Sequence, residues 1–195
     1  MWDLLIGIDK NIFFLINHLP HNLVADFFFS FLSGIGSLGI IWLIIVAALF
    51  LIEEIEDKIC FASLILVVIL SLFLCDFLIK NIVQRPRPSY VLNNVIEVGD
   101  TRRDFSFPSF HATVSFAAAY VLTLHHKKLK TQYYLLAILI AFSRIYLGKH
   151  FPSDILGGIM LGLSIGYFSN WIISKKITSH RFNIHHKILL KKKRK

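Results

Sequence analysis

Long apolar runs constrain this chain more than any other feature. Near 38–52, 59–80, 109–125, 131–147 and 153–174 they approach the roughly 20 residues that a helix needs to cross a ~30 Å hydrocarbon core. A soluble fold of 195 residues would have nowhere to hide them. Composition agrees: 55% of residues are hydrophobic and 17% charged, against an apolar share of about 45–50% in soluble domains. The mean hydropathy is +0.64. The spacing predicts an all-α fold, a polytopic membrane helical bundle with five strong spans. Ahead of residue 38 stand two shorter apolar stretches, 3–17 and 23–33, split by Pro20, His21 and Asn22 and closed by Gly34 and Gly36. Neither is long enough to span comfortably. They read as interfacial or short re-entrant helices, with a pair inserted together as the alternative. Residues 1–174 are expected to form a single membrane domain and 175–195 a basic tail.

The net charge of +9 does not point to nucleic acid, because the basic residues flank apolar runs instead of forming a stripe. Lys127, Lys128 and Lys130 join the third and fourth spans, and Lys175, Lys176 and the run Lys191, Lys192, Lys193, Arg194 and Lys195 follow the fifth. Span parity puts both groups on one side, which the positive-inside tendency makes cytoplasmic. The acidic turn 53–57 falls there too and weighs lightly. The tail anchors topology and is placed to meet anionic lipid headgroups. The opposite face nevertheless carries Lys80, Arg85, Arg87, Arg102, Arg103, Arg144 and Lys149. Ionisable groups at the ends of membrane helices are costly and mark function by default, although Lys80 taken alone could simply snorkel to water. Cys60 and Cys75 share one apolar run, too far apart to pair, and have no metal-site neighbours. The first residues, with Asp3 and Asp9 and no basic segment, do not resemble a secretory signal. Gly158, Gly162 and Gly166 form a small-residue stripe suited to close helix packing.

Three local patterns converge on the basic face. In the first, Lys80 ends the second span and Arg87 follows between Pro86 and Pro88, which break the helix and hold the arginine extended, free to fold back toward Lys80. The second, Pro108-Ser109-Phe110-His111, opens the third span. Unpaired N–H groups in a first helical turn suit an oxyanion, Ser109 can add a hydroxyl, and His111 stands close enough to exchange a proton with it. The third is Ser143-Arg144, then His150, then Asp154, with Gly148 stopping one helix and Pro152 starting the next. A carboxylate four residues after a histidine can take the proton-bearing ring nitrogen, leave the other nitrogen free and so activate the imidazole.

Together the patterns K-x6-R-P, P-S-x-H and S-R-x5-H-x3-D resemble the signature of the phosphatidic-acid-phosphatase type 2 superfamily. Phe110 replaces the usual glycine of the second. The resemblance covers residues 80–154 and implies a membrane lipid phosphatase of bacterial type. By position, it implies that His150 attacks phosphorus and is transiently phosphorylated, that Asp154 orients it, and that His111 protonates the leaving oxygen. It likewise implies that Lys80, Arg87, Ser109 and Arg144 bind the phosphate oxygens. Phosphoryl transfer asks mainly for positioning and charge neutralisation, so these cations can do what Mg²⁺ does elsewhere and no metal or other cofactor is expected. A metal site of His111, His150 and Asp154 is the competing enzymatic reading, and the crowd of cations argues against it. A non-catalytic phospholipid binder or transporter is the other, but it needs no paired histidines and five spans show no inverted repeat. The expected substrate is a membrane lipid phosphate, with a polyprenyl diphosphate favoured and lipid A 1-phosphate, phosphatidylglycerol phosphate or phosphatidic acid as alternatives. The expected location is the bacterial inner membrane, with the site facing the periplasm or cell exterior.

Overall fold

The computed structural model describes residues 2–51, 58–99 and 104–192; the turn 53–57, Arg102, Arg103 and the side chains of the terminal basic run lie outside the described residues. Among the described residues all regular structure is helical. The order is α1 (Trp2–Asn17), α2 (Leu23–Gly36), a 3₁₀ turn (Ser37–Gly39), α3 (Ile40–Leu51) and α4 (Lys58–Ser71). A π-helical stretch (Leu72–Ile79) leads into α5 (Lys80–Val83) and α6 (Pro88–Val91). The chain closes with α7 (Phe110–His125), a 3₁₀ turn (Lys127–Leu129), α8 (Lys130–Tyr146) and α9 (Pro152–Lys192).

Two stretches are long and apolar enough to cross a membrane alone, Lys58–Val91 and Pro152–Lys176, or three if α2 and α3, which meet at 72°, count as one broken span. α7 and α8, at 16 and 17 residues, fall short of the roughly 20 residues that a lone span needs. The helical part of α9 outruns the expected 153–174 because neither glycine nor proline occurs after Gly166 to stop it.

α7 is the axis of the bundle. It is apolar or small on every side, buried along most of its length, and packs against α9, α8 and α4. In a lipid surround, close van der Waals fit holds helices together in place of water exclusion, and the glycine stripe of α9 supplies it. A Cβ at Gly158 would stand 2.7 Å from the Ser109 carbonyl oxygen and 2.9 Å from Ala112 Cβ. Overpacking of that kind typically costs about 1–3 kcal/mol. The faces of α1 and α2 that carry Leu5, Leu23, Val24 and Phe27 are exposed, as apolar surface facing acyl chains would be.

The two N-terminal helices belong to the bundle. Phe13 and Asn17 are fully buried. Asn17 Nδ2 donates to the Ile96 and Tyr146 carbonyls at 2.7 and 2.9 Å while its Oδ1 accepts the Ile96 N–H at 2.9 Å, which ties α1 to the end of α8 and to the loop after α6. Asn22 caps α2 by accepting the Ala25 N–H at 2.9 Å. His21, stacked on Tyr146 at 4.3 Å, and Asp26, which accepts the Tyr146 hydroxyl at 2.8 Å, fasten the α1–α2 turn to α8.

Candidate active site

The expected site residues all come to one end of the bundle. After α5, Gln84 takes up a left-handed conformation (φ 50°) and its N–H closes on the Lys80 carbonyl at 2.9 Å, so the chain turns back on itself. Arg87 follows in extended conformation (ψ 157°) ahead of Pro88, as its flanking prolines require. Segment 104–107 runs alongside, the Ser106 N–H reaching the Arg85 carbonyl at 2.8 Å. Lys80 and Arg87 converge on one carboxylate. Asp104 accepts Lys80 Nζ at 2.7 Å on one oxygen, and Arg87 Nε and Nη2 at 3.0 and 2.5 Å on the other. Burial alone would raise the Asp104 carboxyl, but Lys80 and Arg87 together hold it down at about 2. Two buried cations that share one anion's oxygens are arranged as an oxyanion clamp.

At the start of α7 the Ser109 N–H donates to the Asp154 carbonyl at 3.0 Å, locking the first turns of α7 and α9 together. The Ser109 hydroxyl is fully buried and has no hydrogen-bond partner among the described residues. A buried orphan hydroxyl is costly, and a bound anion would relieve it. His111, one turn in, brings Nε2 within 3.1 Å of the Ser33 carbonyl and 3.3 Å of Ser37 Oγ. A carbonyl can only accept, so Nε2 bears the proton. Arg144 Nη1 donates to Ser33 Oγ on the same α2 turn.

The connection from α8 to α9 carries His150. Gly148 sits at φ +75°, and a Cβ there would lie 2.7 Å from the Ile96 carbonyl oxygen, so only glycine makes this turn against the neighbouring loop. The His150 N–H then returns to the Arg144 carbonyl at 3.2 Å. Its side chain is 2% exposed, with Nε2 3.4 Å from Arg87 Nη1 and Nδ1 3.6 Å from Asp154 Oδ2. A guanidinium has only donors. Nε2 therefore presents its lone pair to the clamp and the proton sits on Nδ1, toward Asp154. The 3.6 Å separation is an ion-pair distance, longer than the hydrogen bond that the four-residue spacing suggests. Asp154 is otherwise engaged, Oδ2 accepting the Phe151 N–H at 2.8 Å as part of the α9 cap and Oδ1 accepting Arg85 Nη1 at 2.7 Å. Burial foremost, then Arg87, Arg144 and Lys80, hold the His150 imidazole well below the ordinary histidine range, with Asp104 pulling the other way. The ring is thus neutral, as a nucleophile must be.

A cavity of about 230 Å³ opens between Arg87, His111, Arg144 and Lys149 on one side and Ser30, Ser33 and Ser37 on the other. Lys149 Nζ donates to Glu97 at 2.9 Å and to the Gly99 carbonyl at 2.8 Å. Burial depresses its ammonium, and Glu97 partly restores it.

Sequence reasoning singled out none of Ser33, Ser37 and Asp104, and left Arg85 in the basic cluster without a role of its own. Ser33 stands near the end of α2 and Ser37 in the turn after it, in a part of the chain read as peripheral. Arg85 and Asp104 are charged loop residues, and only the folded chain turns them inward.

The family comparison joins this geometry to a known group. Residues 61–178, more than half of the chain, match the model of the PAP2 superfamily. The chain belongs to that superfamily. Every residue just placed in the clamp and around His150 falls within the matched range, whereas Ser33 and Ser37 lie before it. Undecaprenyl-diphosphatase BcrC of Bacillus subtilis is 32% identical over 92 residues, a match covering 47% of this chain and 47% of that protein, so the chain spans about half the length of that curated relative. A lipid A 4'-phosphatase of Bacteroides thetaiotaomicron is 27% identical over 92% of this chain and 82% of its own. The crystal structure of LpxE from Aquifex aeolicus superposes with a TM-score of 0.68 at 30% identity, covering 83% of this PAP2 chain and 94% of that one.

Proposed function

We propose that this PAP2 protein is a metal-independent lipid phosphate hydrolase that works through a phosphohistidine. The observation that carries the reading is the neutral His150, whose Nε2 lone pair faces Arg87, one arm of a two-cation anion clamp. Phosphate oxygens bind to Lys80, Arg87, Arg144 and the Ser109 hydroxyl. Nε2 attacks phosphorus, a P–N bond forms as the P–O bond to the lipid breaks, and the departing oxygen takes the Nε2 proton of His111. Water then attacks the phosphohistidine, giving up its proton to His111. The P–N bond breaks and inorganic phosphate leaves.

The serine-lined cavity next to His111 lies on the leaving-group side in this scheme. With Arg144 and Lys149 on its wall it suits a leaving group that is itself anionic, which favours a polyprenyl diphosphate, in keeping with the undecaprenyl-diphosphatase relative. The lipid A 4'-phosphatase relative, matched over nearly the whole chain, supports a phosphorylated glycolipid as the second reading. Purified protein in detergent should release phosphate from farnesyl diphosphate faster than from lipid A, phosphatidylglycerol phosphate or phosphatidic acid, and should do so in excess EDTA. Among the described residues no three His, Cys, Asp or Glu side chains are grouped as metal ligands. Loss of activity on chelation, restored by one divalent metal, would return the metal-site reading to first place. Preferential release from lipid A would instead select the second substrate.

In the same reading, residues 1–174 are one membrane domain with five spans in the bacterial inner membrane. α7 and α8 cross as part of the bundle, the site faces outward, and the tail 175–195 rests on anionic cytoplasmic lipid. Both native cysteines are buried, so single cysteines introduced at the exposed Lys128 and Asn94 report topology. An impermeant thiol reagent should label position 94 and spare 128 in intact cells. The reverse pattern would put the site on the inside.

A further inference from the structure

A group of charges behind the site binds the N-terminal helix to the residue that orients His150. Asp9, on α1, accepts Arg85 Nη2 at 2.7 Å and the Ser153 hydroxyl at 2.6 Å on Oδ2, and the Ser153 N–H at 2.8 Å on Oδ1. Arg85 in turn donates Nη1 to Asp154 Oδ1 at 2.7 Å and to Ser153 Oγ at 2.5 Å, with its guanidinium carbon 4.2 Å from the Phe151 ring centroid. The side chains are shielded, at 11% exposure for Asp9, 27% for Arg85 and none for Asp154.

We propose that Asp9 and Arg85 are positioning residues for phosphoryl transfer. Arg85 fixes Asp154 so that Oδ2 faces His150 Nδ1, and Asp9 shares the Arg85 charge so that Asp154 keeps its own directed at the imidazole. The inference rests on the reading of His150 as nucleophile and Asp154 as its partner. One guanidinium held between two carboxylates leaves the group with a net negative charge. Without Asp9, Arg85 and Asp154 form a neutral pair, and Asp104, on the far side of the clamp, is left to oppose Lys80, Arg87 and Arg144 around His150. As Nε2 bonds to phosphorus the ring gains positive charge, so anionic charge beside Nδ1 is worth more in the transition state than before it. The same bonds seat α1 against the first turn of α9, which makes the N-terminal helix part of the catalytic framework.

The test measures kcat and KM of full-length protein in detergent, on whichever of farnesyl diphosphate, lipid A, phosphatidylglycerol phosphate or phosphatidic acid the parent protein hydrolyses fastest. Turnover is referred to the folded protein, taken as the monodisperse fraction on size-exclusion chromatography in detergent, so that misfolded protein drops out. Asp9→Asn should lower kcat by about 10- to 100-fold, the worth of a charge-assisted hydrogen bond, and leave KM within about twofold. Asp9→Glu should keep most of the rate. In the Asp9→Asn background, adding Arg85→Gln, which keeps an amide donor for Asp154 but removes the guanidinium charge that neutralises it, should raise kcat again several-fold. A merely structural network would make the double variant worse than either single one. Asp9→Asn turning over within twofold of the parent, or a double variant no faster than Asp9→Asn, overturns the proposal. His150→Ala run alongside separates the two levels: phosphate release that survives it sinks the nucleophile reading itself. Loss there, with Asp9→Asn unaffected, sinks only the positioning role.

Discussion

Replacing His150 with alanine is expected to abolish both turnover and the covalent phosphoenzyme. The ring stands where Arg87 and Asp154 meet, Nε2 facing the clamp and Nδ1 facing the carboxylate. No second group is placed to take over. His111 turns its protonated Nε2 toward the Ser33 carbonyl at 3.1 Å and so presents a proton, not a lone pair. Losing a nucleophile from such a constellation costs roughly 10⁴- to 10⁶-fold in kcat. Acid-quenched trapping with ³²P-labelled substrate, followed by mapping of the labelled peptide, makes the measurement. Label on residue 111, or undiminished label in His150→Ala, would reverse the assignment of the two histidines.

The second large effect is a dependence on the leaving group. His111→Ala should slow hydrolysis of an alkyl phosphate by about 10²–10⁴-fold, the usual worth of general acid catalysis. An aryl phosphate, whose leaving oxygen needs little protonation, should lose far less. Hydrolysis rates of a series of phosphates graded by leaving-group pKa give the slope directly. Equal losses across the series would show that His111 does not deliver the proton. Asp154→Asn should fall between the two histidine variants for every leaving group, since it keeps the cap on Phe151 but removes the charge behind the imidazole.

The parts of this site that were legible in the sequence are those whose chemistry is written locally. Ser109 and His111 fall within one turn, as do His150 and Asp154, and prolines at 86, 88, 108 and 152 announce where helices start and stop. The glycine stripe of α9 was equally plain, because small residues at every fourth position have one physical use in a bundle. What stayed hidden depends on which elements meet. Ser33 and Arg144 are 111 residues apart, Asp9 and Ser153 144 apart, and no period or motif reports that α2 closes over α8 or that α1 docks on α9. The two short apolar stretches that become α1 and α2 were visible, but in a membrane an apolar face can meet lipid or protein equally well, so hydropathy alone left them at the periphery. The fold class was read from apolar run lengths. The number of crossings is less sharply marked, since α7 and α8 are shorter than an isolated span and are covered by their neighbours.

The π-helical stretch ahead of Lys80 has a consequence for phase. Along α4 and its continuation the buried positions are Cys60, Ser63, Leu64, Val67, Ser71 and Cys75, following the three- and four-residue steps of an α-helix, and then the step widens to five and reaches Lys80. The Lys80 N–H correspondingly closes on the Cys75 carbonyl five residues back. Each residue of an α-helix turns the chain by about 100°. Without the widened turn, Ile79 would occupy the buried direction and the ammonium would swing away from Asp104. The stretch acts as a phase shifter between two codes in one helix. Upstream, residues are chosen for packing in an apolar medium; downstream, the count resets so that a cation faces inward. The six residues between Lys80 and Arg87 then keep a fixed register with Asp104, on which both cations close, whatever the helix before them requires.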